Sequence, residues 1–184
     1  MKYTYLMMNL CRFLLITIPI LILLTWSYID NSFMINSIQE GIFFQPTMTP
    51  MGIMSLNDVK WTMTSKFFGL MWQTFGFLTD IIALWFLCKI FKNYKDGFIF
   101  TKQNAQYYRK IGVFYFLDAL ILKPLSDTFL TLALTCGNKP GERFLTLSFG
   151  TPSLRALFFA AVIIMISLVM IEASKIHDEQ TLTV

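Results

Sequence analysis

The chain has 184 residues, of which 55% are hydrophobic and only 14% charged, with a mean hydropathy of +0.59. Soluble domains run at about 45 to 50% apolar and about 25% charged, so a soluble fold of this size has no interior large enough for this much Phe, Leu, Ile and Met. The net charge of +4 does not point to direct nucleic-acid binding, because the basic residues flank apolar segments instead of forming a separate arm, the pattern of topology signals and lipid contacts.

A hydrocarbon core of about 30 Å takes roughly 20 apolar residues in helical form, since a helix satisfies its own backbone hydrogen bonds there. Four stretches qualify, at about 10–28, 67–91, 111–136 and 154–171. The expected fold is therefore all-α, a single polytopic integral membrane domain over 1–184 with four transmembrane helices. Pro19 and Pro124 are read as kinks, because neighbouring helices and hydroxyl side chains can satisfy the carbonyls they free. The first span resembles a signal peptide in having Lys2 and Arg12 ahead of or within an apolar run. Its run is long, though, and no A-x-A pattern follows Trp26, so an uncleaved signal-anchor is expected.

Between spans one and two lies an outer connector, about 29–65, broken by Pro46, Pro50 and Gly52; the run after them has the residue usage of a short strand or surface helix. It reads either as a cap on the bundle end or as a ligand-binding lid. The inner connector, about 92–110, is basic. With Lys89, Lys92, Lys95, Lys102, Arg109 and Lys110 it marks the cytoplasmic side, which puts both termini inside. On that assignment nine basic residues face inward and five outward (Lys60, Lys66, Lys139, Arg143 and Arg155). Trp26, Trp61, Trp72, Tyr107 and Tyr108 fall near span ends, where amphipathic rings favour the headgroup zone. Cys11 and Cys88 fall near the inner face and Cys136 near the outer one, so no pair is expected at a matched outer depth where an oxidising compartment would join it.

Ionisable residues inside spans cost about 2.5 to 3.5 kcal/mol each on insertion scales, so a chain that keeps them pairs them or uses them. At 1.5 Å per residue Asp80 lies about 13 Å in from Lys89 and Asp118 about 12 Å in from Lys110, a shared level if both spans start at the inner boundary. Lys123 sits about 7 to 8 Å farther out with a stem long enough to reach back, and Asp127 can pair with it at i,i+4. Asp80, Asp118, Lys123 and Asp127 thus form either a site for a proton, cation or polar ligand, or a structural set joining helices two and three. No enzyme is expected. The one histidine, His177, lies in the polar tail, phosphate-binding glycine motifs are missing, and no residue pattern calls for a metal or cofactor.

In the inner connector Asp96 and Gly97 supply a tight turn, Phe98 and Phe100 are apolar anchors, and Thr101 is an N-cap with Asn104 at N3, placed to bond back as in a capping box. The stretch reads as a capped hairpin on anionic lipid or as a partner-docking surface. Gly97, Phe100, Thr101, Asn104, Arg109, Ile111 and Gly112, with the ending Glu179, Gln180, Leu182, Thr183 and Val184, resemble the bacterial membrane proteins of domain-of-unknown-function family 2975. The likeness rests on a G-x-x-F-[ST]-x-x-N element, an R-x-I-G helix start and an E-x-x-L-T-V tail, and would cover nearly the whole chain. Tyr107 and Tyr108 depart from the family's usual Leu or Arg, as do His177 and Asp178 from its Leu and Arg or Glu.

The resemblance implies a multi-pass protein of the bacterial cytoplasmic membrane. Because many members are encoded beside a small helix-turn-helix regulator, it also implies a sensor or regulatory partner of a cytoplasmic protein. Gly97, Phe100, Thr101, Asn104, Arg109, Glu179, Leu182 and Val184 would then be the docking face, with the tail at 172–184. The alternative is a small homo-oligomeric transporter or channel built on Asp80, Asp118 and Lys123.

Overall fold

A computed structural model describes residues 2–31, 36, 48–49, 52–53, 59–139, 141, 143–145, 147 and 154–182. It is helical apart from one small hairpin. Helix α1 runs Lys2–Ser27. Strands β1 (Met48–Thr49) and β2 (Gly52–Ile53) pair antiparallel, Met48 opposite Ile53 and Thr49 opposite Gly52. Helix α2 runs Met63–Lys95 and α3 Lys102–Leu117. A π-helical segment, Asp118–Leu122, leads without a break into α4, Lys123–Thr135, and α5 runs Leu154–Leu182.

Among the described residues three helices are long and apolar enough to cross a membrane: Tyr3–Ser27, Met63–Lys95 and Leu154–Gln180. Their burial supports the reading of lipid as solvent. Along α1, Leu10, Phe13, Ile16, Ile20, Leu21, Leu23 and Leu24 are all exposed, a surface that water would penalise at roughly 25 cal/mol per Å². Thr17, Thr25 and Ser27 turn their hydroxyls back onto carbonyls of the preceding turn, at 3.0, 2.8 and 2.8 Å. A polar side chain satisfied within its own helix is tolerated in an apolar surrounding.

The stretch expected as a third span, 111–136, is helical throughout but in pieces. Pro124 has no N–H to give the carbonyl four residues back, and its ring crowds that turn. The chain meets this with the wider π turns at Asp118–Leu122, which place Pro124 in the first turn of α4 where a missing donor costs little. The expected kink is therefore a change of helical register ahead of the proline. Residues 172–182, in the expected tail, continue α5 as helix.

The chain divides into two compact units, Met1–Ile18 with Leu78–Ile121 and Thr151–Val184, and Pro19–Phe77 with Leu122–Gly150. In the first, Ala83, Phe86, Ile90 and Ile111 form a core joined by Tyr107, Phe114 and Ile163. Gly112 permits the close approach of α3 to α5, since a Cβ there would lie 2.6 Å from Ile164 Cγ1 and 3.1 Å from the Ala160 carbonyl oxygen. In the second, Val59, Leu130 and Leu134 pack with Trp61 and Trp72. Trp26 meets Trp61 and Trp72 edge-on, centroids 5.7 and 6.2 Å away, and donates its indole N–H to Gln73 Oε1. Three of the aromatic residues expected at span ends are thus one cluster.

Candidate functional site

In the first unit a hydrogen-bonded turn joins α2 and α3. Gly97 adopts φ +86°, a left-handed conformation that closes a helix cheaply only without a Cβ. Thr101 caps α3, its hydroxyl accepting from the Asn104 N–H at 3.3 Å. Asn104 does not complete a capping box. Its Nδ2 donates to the carbonyls of Phe98 (2.7 Å) and Ile99 (2.9 Å), and its Oδ1 accepts from Asn93 Nδ2 at 2.7 Å. With 0% exposure, it is the internal brace of the turn, hidden beneath the surface it holds in place. That is Phe98, Ile99 and Phe100, which are 63, 44 and 47% exposed, beside the exposed Lys95, Lys102 and Arg109.

Tyr107 and Tyr108 complete this end of the unit. Tyr108 and Tyr94 share a hydrogen bond between hydroxyls at 3.3 Å, and burial, then the neighbouring Tyr94, pushes the Tyr108 phenol well above its ordinary value. Tyr107 accepts from Gln103 Nε2 at 3.0 Å and packs on Phe86. Lys89 lies 3.4 Å over the Trp85 ring, a cation–π contact that keeps a charge against an apolar surface. On α3 a shallow cavity of about 350 Å³ is lined by Gln106, Arg109, Lys110, Val113 and Phe114. Near the other motif Glu179 is exposed on the last turns of α5, Leu182 is its final residue, and Val184 lies outside the described residues.

Asp80 and Asp118 also belong to the first unit. Both are half-buried, and each is met by a neutral hydroxyl: Tyr115 donates to Asp80 Oδ1 at 2.8 Å and Thr79 to Asp118 Oδ1 at 3.1 Å. Asp118 opens the π segment. Lys123 and Asp127 fall in the second unit, where they form the i,i+4 ion pair at 2.8 Å, with side chains 57 and 42% exposed. Lys66 and Asp30 form a further ion pair in that unit. The hydroxyls of Tyr115 and Thr79 were not foreseen in the sequence, although Thr79 precedes Asp80 directly. Among the described residues no group of three or more His, Cys, Asp or Glu side chains could hold a metal ion.

These features define the class as a helical membrane protein with polar groups held on its helices and a braced turn between two of them. The chain belongs to the DUF2975 family of proteins of unknown function, whose model matches residues 53–184. The match takes in α2 to α5 and leaves α1 outside, so it is shorter than the near-complete coverage expected. No curated protein and no solved structure matches the chain.

Proposed function

We propose that the chain is a four-span, non-enzymatic protein of the bacterial cytoplasmic membrane with both termini inside, acting as a sensor or regulatory partner of a cytoplasmic protein. The observation that carries this is the turn at 96–101. There a buried asparagine fixes three consecutive exposed apolar side chains among basic residues, a preorganised surface of the kind a protein partner binds. The uninterrupted helical run 102–135 supplies the length for the further span, and the excess of Lys and Arg at 89–110 supports the orientation. The partner that fits is a soluble helix-turn-helix regulator meeting Phe98, Phe100 and Arg109 together with the end of α5 from Glu179 and the residues that follow to Val184.

Crosslinking in native membranes, isolation of the chain and mass spectrometry of what stays bound would test this. Recovery of a DNA-binding regulator, lost when 179–184 are deleted or when Phe98 and Phe100 are both changed to Ala, is the expected result. Recovery of only further copies of the chain would overturn it.

A second reading has its own observation. Asp80 and Asp118 are half-buried on helices and hydrogen-bonded to neutral groups, and Asp118 sits where a π segment begins, a feature frequent at functional sites. This favours a small oligomeric conduit for a proton or cation. If Asp80→Asn with Lys123→Met preserves function while loss of the tail abolishes it, the conduit fails; the opposite pattern sinks the docking reading.

A further inference from the structure

The first unit holds a feature that neither reading uses. Cys11 on α1 and Cys88 on α2 are neighbours whose thiols bear on each other, although they are 77 positions apart in the chain. An independent contact fixes the register that brings them together. The Lys95 ammonium lies 5.7 Å from the centroid of the Tyr5 ring, tying the start of α1 to the end of α2. Stepping six residues along α1 from Tyr5 reaches Cys11, and stepping seven back along α2 from Lys95 reaches Cys88. At 1.5 Å per residue these paths are about 9 and about 10 Å, so antiparallel helices carry both sulfurs to one level. Cys11 is 6% exposed, Cys88 is half-buried, and both are free thiols.

We propose that Cys11 and Cys88 form a dithiol site that closes to an intramolecular disulfide on reaction with an organic hydroperoxide and reopens under a thiol reductant. Cys88 is the more open of the two, so it is the attacking sulfur. Its thiolate displaces on the terminal oxygen of the hydroperoxide. The O–O bond breaks, the remaining oxygen leaves as an alcohol after taking a proton, and Cys88 becomes a sulfenic acid. Cys11 then attacks the Cys88 sulfur, the S–S bond forms, the S–O bond breaks, and water leaves. Two thiols and one hydroperoxide give one disulfide, one alcohol and one water. An apolar hydroperoxide, such as that of an oxidised acyl chain, is the class of oxidant that partitions to helices with lipid-facing surfaces like that of α1. The fold limits the thiol movement needed, because sulfurs held at one level on neighbouring helices reach bonding distance by side-chain rotation. The site goes beyond the docking and conduit readings and depends on neither.

The test uses the full chain in lipid nanodiscs treated with cumene hydroperoxide, followed by non-reducing proteolysis and mass spectrometry. The expected result is loss of two of the three free thiols, a dominant Cys11–Cys88 linked peptide, recovery of both thiols with a phosphine reductant, and a Cys136 still reactive toward maleimide. In the Cys11→Ser variant, Cys88 should persist as a sulfenic acid trapped by dimedone, while Cys136→Ser should leave the disulfide unchanged. Unfolding the untreated wild-type chain in dodecyl sulfate before oxidation should abolish the preference. A statistical mixture of the three possible pairs from folded protein, or oxidation of both cysteines without a link between them, would overturn the proposal. The decisive reading is on the unmutated chain, so a variant that fails to fold does not blunt it.

Discussion

Two half-buried carboxylates of the first unit and two carboxylates of the second are held in different ways. In the first, Asp80 and Asp118 are half-buried and each accepts from a neutral hydroxyl, Tyr115 or Thr79. In the second, Asp30 and Asp127 are exposed and each is paired with a lysine. A hydroxyl donated to a half-buried carboxylate is worth more than one in water, because a low-dielectric surrounding makes each such hydrogen bond matter. A carboxylate met by a lysine at an exposed position gains little, because two flexible side chains lose entropy for a contact that solvent or headgroups would replace. The first arrangement is costly to disturb and the second cheap, whatever the charges suggest on paper.

Substitutions can break or sharpen this contrast. The largest effect is expected at the buried amide that braces the turn of the first unit. Asn104→Ala strips partners from the Phe98 and Ile99 carbonyls and from the Asn93 amide, at about 3 kcal/mol. It should lower the midpoint of thermal unfolding in detergent and expose the turn to limited proteolysis. Next come Tyr115→Phe and Thr79→Val, each removing one hydroxyl from a carboxylate and costing about 2 kcal/mol. In the same assay these should be rescued in part by Asp80→Asn and Asp118→Asn respectively, because a neutral amide needs the lost donor less.

Lys66→Met and Lys123→Met stand at the small end, each below about 1 kcal/mol. Their midpoints should sit within a few degrees of the parent. The comparison is sharpened by salt. Raising ionic strength to about 0.5 M should shrink the lysine effects further, since the Debye length is then a few ångströms, while leaving those of Tyr115→Phe and Thr79→Val unchanged. Equal salt sensitivity in both groups would show that the two units do not differ in the way their contacts imply.

Hydropathy alone made the long helices legible, because lipid selects for run length and not for particular partners. It could not show that the stretch around Lys123 and Pro124 is segmented. Hydropathy averages over the very residues that force the change of register. Thr101 was legible as a cap because capping is local, whereas the role of Asn104 was not. Its acceptors at Phe98 and Ile99 exist only once Gly97 has closed the turn, so the nearer capping-box geometry looked sufficient. The Lys123–Asp127 pair follows from spacing within one helix, while the hydroxyls on Asp80 and Asp118 depend on how α2 faces α3. The pairing of Cys11 with Cys88 lay deepest. Each was placed at the right end of its helix, but contact between them needs the register of two helices and the faces they turn to each other.

The continuation of α5 to Leu182 changes what the end of the chain is in mechanical terms. Where a polar tail would be a tether, blurring any motion at its root, a helix is stiff in torsion. The surface of α5 at Ala160 and Ile164 is seated against Gly112, and Leu182 lies eighteen residues farther on, about 27 Å along the axis. A slight roll of α5 at that seat therefore turns Glu179 through the same angle, and a tilt there is magnified into displacement at the tip. The end of this chain is a pointer whose bearing is set at the glycine.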